Sequence, residues 1–230
     1  MELTDLEKTI QEKYNHLVSE INRFSNNSPP KIIAVSKTFP KEVAEAAYNI
    51  GIRIFGENKV KEGIDKFKEI REKHNDVELH HIGPTQSGTI KKVIQSYDYV
   101  HGVGSKSSAF ELIKSANVKK TKIKFFLQFN LTDEISKSGF SKDDGIFFLD
   151  ELQKINSEYA KLVGIMTMGP SNEDLKETRK VFKELFSIKK NYFQEAELSM
   201  GMSGDYQIAI EEGSNCIRIG SSIFGTRSII

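Results

Sequence analysis

Short apolar runs, each too brief for a helix, alternate with stretches of helical periodicity along almost the whole chain, and nothing else in the sequence limits the fold as strongly. The run Lys31-Ile32-Ile33-Ala34-Val35-Ser36 reads as a buried strand. Further candidate strands fall at residues 52–55, 78–82, 99–102, 122–129, 162–166, 197–199 and 216–219, which makes eight in all. Between them lie helical stripes such as Val60, Ile64 and Phe67, or Leu175, Phe182 and Leu185. Pro40 suits the first turn of the helix after the first strand, and Gly51 its C-terminal stop. Ahead of all of them, Leu3, Leu6, Ile10, Tyr14, Leu17, Ile21 and Phe24 form one stripe of an N-terminal helix.

Strand and helix alternate without hairpin signals, so the sheet is predicted to be parallel. Eight such units in 230 residues match a (β/α)8 TIM barrel. An open doubly wound sheet would carry its ligand motif after one or two strands, whereas polar and glycine-rich loops here follow many of them. The sequence therefore predicts a single α/β barrel domain over residues 1–230, with residues 1–25 as an extra N-terminal helix packed on it.

Composition narrows the function. Lys+Arg number 33 and Asp+Glu 32, for a formal net charge of +1, which argues against a nucleic-acid or membrane-surface binder. Charges interleave from Lys59 to Lys73, as on a solvated helix face. The single Cys216 excludes a disulfide framework or a cysteine-rich metal site, and reads as a small core residue. No apolar run approaches the roughly 20 residues of a membrane span, and the acidic, mixed N-terminus shows no signal peptide. The expected location is the cytoplasm, and the sequons at Asn26 and Asn130 are read as accidental.

Active groups of a parallel barrel sit at the C-terminal ends of its strands. Lys37 follows directly on the first apolar run. It is either a solvent-facing loop lysine or a partly desolvated amine suited to form a Schiff base with a carbonyl. The seventh strand leads into Ser199-Met200-Gly201-Met202-Ser203-Gly204-Asp205 and the eighth into Gly220-Ser221-Ser222. These glycines either make tight turns or let backbone and serine hydroxyls close on a phosphate. Alternation puts Cys216 and Arg218 on one face of the last strand and Ile217 and Ile219 on the other. With the isoleucines toward the helices, Arg218 points into the barrel, to serve a salt bridge or a ligand acceptor.

Lysine, phosphate cup and inward arginine together suit pyridoxal phosphate. The chain resembles the pyridoxal phosphate homeostasis protein family, relatives of the N-terminal barrel of alanine racemase, from about Lys31 to Arg227. The resemblance rests on Ala34-Val35-Ser36-Lys37-Thr38, Phe55-Gly56-Glu57-Asn58, His80 with Ile82-Gly83-Pro84-Thr85-Gln86-Ser87, Gln128 with Asn130, and Glu134 with Lys137-Ser138-Gly139. It continues through Gly164 with Met166, the run from Leu198 to Ser203, and Arg218-Ile219-Gly220. It implies that Lys37 carries pyridoxal 5′-phosphate as a Schiff base. It also implies that Ser199, Met202, Ser203, Gly220 and Ser221 belong to the phosphate loops, that Arg218 faces the pyridine nitrogen, and that Asn58 lines the pocket. The family departs from this chain at His81, where Phe is usual, at Lys59, where Tyr is common, and at Gly88-Thr89, where Asn-Lys is common.

An arginine at the pyridine nitrogen keeps the ring unprotonated and makes it a weak electron sink. The resemblance implies a carrier without established turnover, which buffers the cofactor and hands it to apo-enzymes; a monomer is expected without the racemase's second domain. The alternative is an amino-acid racemase, which needs a second acid/base opposite Lys37. Tyr206 and His80 are the candidates, and the chain ends at Ile230 without room for the racemase's additional domain. Two accessory residues complete the expectations. His80 is placed as a hydrogen-bonded residue at the barrel mouth. Lys137 is either a surface lysine or a transient second contact to the cofactor. His80 and His81 point to opposite faces and hold no metal, and Gly102-Val103-Gly104 lacks the third glycine of a dinucleotide loop.

Overall fold

The first apolar run pairs with the last, and that closure fixes the architecture. The structure, a computed structural model, describes residues 3–25, 28–132 and 134–225, so Asn26 and Arg227 lie outside the described residues. Its elements follow the order α1 (Asp5–Phe24), β1 (Lys31–Val35), α2 (Lys41–Asn49), β2 (Ile54–Glu57), α3 (Val60–Lys73) and β3 (Glu78–Pro84). Then come α4 (Ile90–Ser96), β4 (Tyr99–Val103), α5 (Lys106–Lys119), β5 (Ile123–Gln128), α6 (Lys142–Gln153) and β6 (Ala160–Met166). The chain closes with α7 (Leu175–Tyr192), β7 (Glu197–Met202), α8 (Tyr206–Glu211), β8 (Cys216–Ile219) and α9 (Ser221–Phe224). Every strand pairs in parallel with its sequence neighbour, and β1 also pairs with β8. The fold is a closed (β/α)8 barrel, not an open sheet.

Helix α1 starts at a capping box, in which Thr4 accepts from the Glu7 amide while the Glu7 carboxylate accepts from the Thr4 amide. Its buried stripe is Ile10, Leu17 and Ile21, and it packs on α2, α8 and α9. Asn49 donates to Glu7 at 2.6 Å and the Tyr206 hydroxyl to Glu20 at 3.0 Å, fixing the helix from both sides. No helix among the described residues is long and apolar enough to cross a membrane.

Period-two alternation separates an outer layer from the interior. Ala34, Phe55, Leu79, Val100, Phe125, Ile165, Leu198, Ile217 and Ile219 join the main core under the helices. Ile33, Val35 and Cys216 form one interior cluster, and Tyr99, Phe126 and Met166 another. Burial among these groups pushes the Cys216 thiol up to about 12, which leaves it inert. The strand starts line the N-terminal mouth with charge: Lys31 lies 4.0 Å from Glu78 and 3.7 Å from Glu197. Lys31 and Lys124 both stand over the Tyr99 ring.

His81 points outward against the Tyr97 ring, and neither of its nitrogens makes a hydrogen bond of good geometry, with Pro84 and Glu57 offering only backbone groups nearby. Buried polar atoms without partners cost stability. His81→Phe is therefore expected to stabilise the fold by about 1–2 kcal/mol at neutral pH. Denaturant midpoints measure this, and an unchanged or lowered midpoint would refute it.

Candidate functional site

The C-terminal mouth gathers the ends of β1, β7 and β8 beside one another. Ala34 registers with Ile219 across β1 and β8, and Met202 registers with Arg218 across β7 and β8. A Cβ built on Gly220 would sit 3.3 Å from the Val35 carbonyl oxygen, so a side chain here would crowd the end of β1. The Gly220 amide donates to the Ser203 hydroxyl at 3.3 Å, joining the two late loops, and Ser221 is exposed next to them. Between Ser199 and Met202 the β7–β8 register shifts, and Gly201 takes a φ of +100° against the Ala209 side chain. Such a bulge re-aims the strand end.

Lys37 lies half-buried in the turn after β1, two residues beyond the inward-facing Val35. The residues on either side of it are tightly held. Ser36 is fully buried, and its hydroxyl donates to Glu57 Oε1 at 2.7 Å. Lys66 Nζ, on α3, reaches both the Ser36 carbonyl and Glu57 Oε1 at 2.7 Å, and Glu62 Oε1 at 3.3 Å. Thr38 follows with φ +69°, a strained conformation for a β-branched residue, its amide donated to Glu62. Burial pushes the Glu57 carboxyl up, while the Lys66 ammonium opposes the shift. The interleaved charges from Lys59 to Lys73 read as a solvated face, but Lys66 is only 7% exposed because it serves this buried carboxylate.

Arg218 points into the barrel and is 4% exposed. Its Nη1 donates to Ser199 Oγ at 2.6 Å and its Nη2 to the Thr167 carbonyl at 3.2 Å. Ser199 lies inside the barrel with its hydroxyl on Arg218 and His101, below the phosphate loops in which the sequence reading put it, because it precedes the bulge. Met202 is half-exposed at the rim, and its amide is already donated to Asp205 at 2.6 Å. Asn58 is exposed at the mouth and packs against the Gly83 backbone.

His80 departs from expectation. It is fully buried in the lower half of the barrel, in register with Tyr99 at the start of β4, and stacks on that ring. Its strand position, third in β3, is too early to reach the C-terminal mouth. Lys137 donates to Glu134 at 2.8 Å and to the Gly169 carbonyl at 2.6 Å, strapping the loop after β5 to the loop after β6. The Lys137 and Ser171 bonds hold the Glu134 carboxyl well below the usual carboxylate range. Asn130 donates to the Glu134 and Lys137 carbonyls, so its side chain organises the same loop. Tyr206, spent on Glu20, is 7% exposed. Among the described residues no group of three or more acidic, histidine or cysteine side chains could hold a metal.

Lys66, His101 and Thr167 are the residues that sequence reasoning missed, and Glu57 was noted only within the Phe55-Gly56-Glu57-Asn58 motif, without a role. His101 was legible as the next inward position after Tyr99; Thr167 acts through its carbonyl, which carries no sequence signal.

Residues 12–228 match the family described as "Alanine racemase, N-terminal domain". A Vibrio cholerae protein named "Pyridoxal phosphate homeostasis protein" is 35% identical over 231 residues, covering 96% of this chain and 97% of that one. The structure of PipY from Synechococcus elongatus, described as having PLP bound, superposes with a TM-score of 0.84 at 31% identity, covering 94% of this chain and all of that one (100%). An alanine racemase from Clostridium difficile shares the fold at a TM-score of 0.74 and 17% identity, with 96% of this chain and 60% of that one covered.

Proposed function

Because the chain belongs to the alanine racemase N-terminal domain family and, within it, to the pyridoxal phosphate homeostasis proteins, we propose that it binds pyridoxal 5′-phosphate at the C-terminal mouth of its barrel. It holds the cofactor through Lys37 and serves to buffer it and pass it to apo-enzymes in the cytoplasm, as a monomer without turnover of its own. The observation that carries this reading is the convergence at Gly220, whose amide meets the Ser203 hydroxyl and whose backbone lies against the end of β1, the strand that leads into Lys37.

Bound pyridoxal phosphate would supply an aldehyde to which the Lys37 amine could link covalently and reversibly, with loss of water. The protein supplies the rest. Ser203, Gly220 and Ser221 offer hydroxyls and backbone to the phosphate. Arg218, carried on Ser199 and Thr167, offers its remaining donors to the ring nitrogen, and as a cation that does not deprotonate it cannot lend that nitrogen a proton. Asn58 and Met202 line the rim. The clamp on Ser36 and Thr38 fixes the backbone from which Lys37 projects, so the amine is aimed before the aldehyde arrives. Racemase chemistry needs a second acid/base facing Lys37. Both earlier candidates are engaged elsewhere, Tyr206 with Glu20 and His80 with Glu78 and His101.

Titrating the purified protein with pyridoxal phosphate is expected to give a saturable visible imine band. Lys37→Ala is expected to abolish that band while leaving the melting temperature close to that of the parent. An equal band in Lys37→Ala would refute the anchor.

A further inference from the structure

The barrel interior contains a line of polar side chains beneath Arg218, of which the cofactor reading uses only Ser199 and Arg218 itself. Glu78 Oε1 lies 2.8 Å from His80 Nε2, and His80 Nδ1 lies 2.8 Å from His101 Nε2. His101 Nδ1 lies 2.8 Å from Ser199 Oγ, which in turn accepts from Arg218 Nη1 at 2.6 Å. The line runs from the charged N-terminal mouth, where Lys31 stands 4.0 Å from Glu78, to the guanidinium under the opposite mouth.

Only one arrangement of protons satisfies every contact. The carboxylate of Glu78 can only accept, so His80 carries its proton on Nε2 and presents a lone pair at Nδ1. His101 must then donate from Nε2, which leaves Nδ1 as an acceptor. That acceptor takes the Ser199 hydroxyl proton, and the Ser199 lone pairs are left for Arg218, which can only donate. Each bond depends on the one before it. The opposite direction would need a proton on Glu78, whose carboxyl, despite burial, is held below its ordinary value by His80, Lys31 and Lys124. Both imidazoles are fully buried, and burial holds them neutral, as the assignment requires.

We propose that Glu78 is a positioning residue: through fixed tautomers of His80 and His101 it commits the Ser199 hydroxyl as an acceptor and thereby holds the Arg218 fork in one orientation. The N-terminal mouth of the barrel thus sets the geometry of the group that meets a ligand at the other end. The consequence for the cofactor rests on the reading of Arg218 given above; the tautomer assignment does not.

Imidazole nitrogen NMR of the protein without added cofactor tests the assignment. His80 and His101 are both expected to show protonated Nε2 and bare Nδ1. Glu78→Gln retains a carbonyl acceptor and is expected to keep that pattern, whereas Glu78→Leu is expected to lose the single-tautomer pattern at both rings and to shift the Arg218 Nη resonances. With pyridoxal phosphate added, the pH midpoint of the visible band is expected to move in Glu78→Leu and not in Glu78→Gln. Bare Nε2 or mixed tautomers in the parent protein would overturn the proposal, as would an unchanged pattern in Glu78→Leu. If Glu78→Leu does not fold, the parent spectrum and Glu78→Gln still decide the matter. Correct tautomers in a protein that fails to bind pyridoxal phosphate would sink the cofactor reading and leave the positioning chain standing.

Discussion

Acidification through the imidazole range is expected to destabilise this protein before its carboxylates titrate. Of the five histidines in the sequence, His80, His81 and His101 are buried, and burial depresses all three from the ordinary value of 6.5. Glu78 and Asp98 partly offset this at His80 and Lys31 adds to it; His80, Arg218, Lys31 and His81 add to it at His101. Since the folded values lie below the unfolded ones, the unfolded chain binds more protons. The stability these groups contribute is complete above pH 6.5 and is lost as the pH falls from there toward the folded values. Each differential proton gives a slope of about 1.4 kcal/mol per pH unit, so three give up to about 4 kcal/mol per unit. Against a typical total of about 5–15 kcal/mol, roughly one to four units at that full slope exhaust the stability. Urea melts at a series of pH values measure the slope, and His81→Phe is expected to lower it by one proton. Burial raises Glu57 and Asp205 and so acts in the opposite sense, but nearer the carboxylate range. A stability that stays flat from pH 7 down through the imidazole range would contradict this (about two units below neutrality suffice for the test).

Lys66→Met is expected to be the most destabilising single substitution near the site. It removes the cation from a carboxylate that is wholly buried, and Glu57 Oε2 already has no hydrogen-bond partner. Breaking a buried pair by deleting one member costs about 3–5 kcal/mol. Replacing both members by apolar residues of similar volume is often close to neutral, so Lys66→Met with Glu57→Leu is expected to recover most of that loss. The double variant separates two roles. It folds, but Ser36 keeps only its backbone bonds and has lost both of the side chains that hold it, so pyridoxal phosphate is expected to attach more weakly to the neighbouring Lys37. A single variant as stable as the parent would show that the carboxylate is neutral and the pair unimportant. A double variant that binds as the parent does would show that the clamp does not aim the lysine.

Much of the barrel was legible because each strand is a brief apolar run. Arg218 was readable as inward-facing because Ile217 and Ile219 demand the outer layer, and both are found there. Boundaries were set by contacts that no run reveals. Ile52 reads as a strand residue, yet its amide bonds back to Ala47 to close α2, so β2 begins at Ile54. β7 extends past Ser199 to Met202 because Gly201 lets the chain pass Ala209. That extension put Ser199 inside the barrel and left Ser203 facing Gly220. Lys66 was hidden by composition: among alternating charges a single buried lysine looks like its solvated neighbours, and only the partner, Glu57 at the outward end of β2, distinguishes it. His80 was placed at the wrong height because alternation gives the face of a strand but not the depth along it.

Hydride reduction of the protein mixed with pyridoxal phosphate, followed by mass mapping of the labelled peptide, tests the central claim most directly. The account expects one phosphopyridoxyl group per chain, on Lys37, formed at far lower cofactor excess than on other lysines. Label spread evenly over surface lysines, or concentrated on Lys137 with Lys37 unmodified, would contradict it.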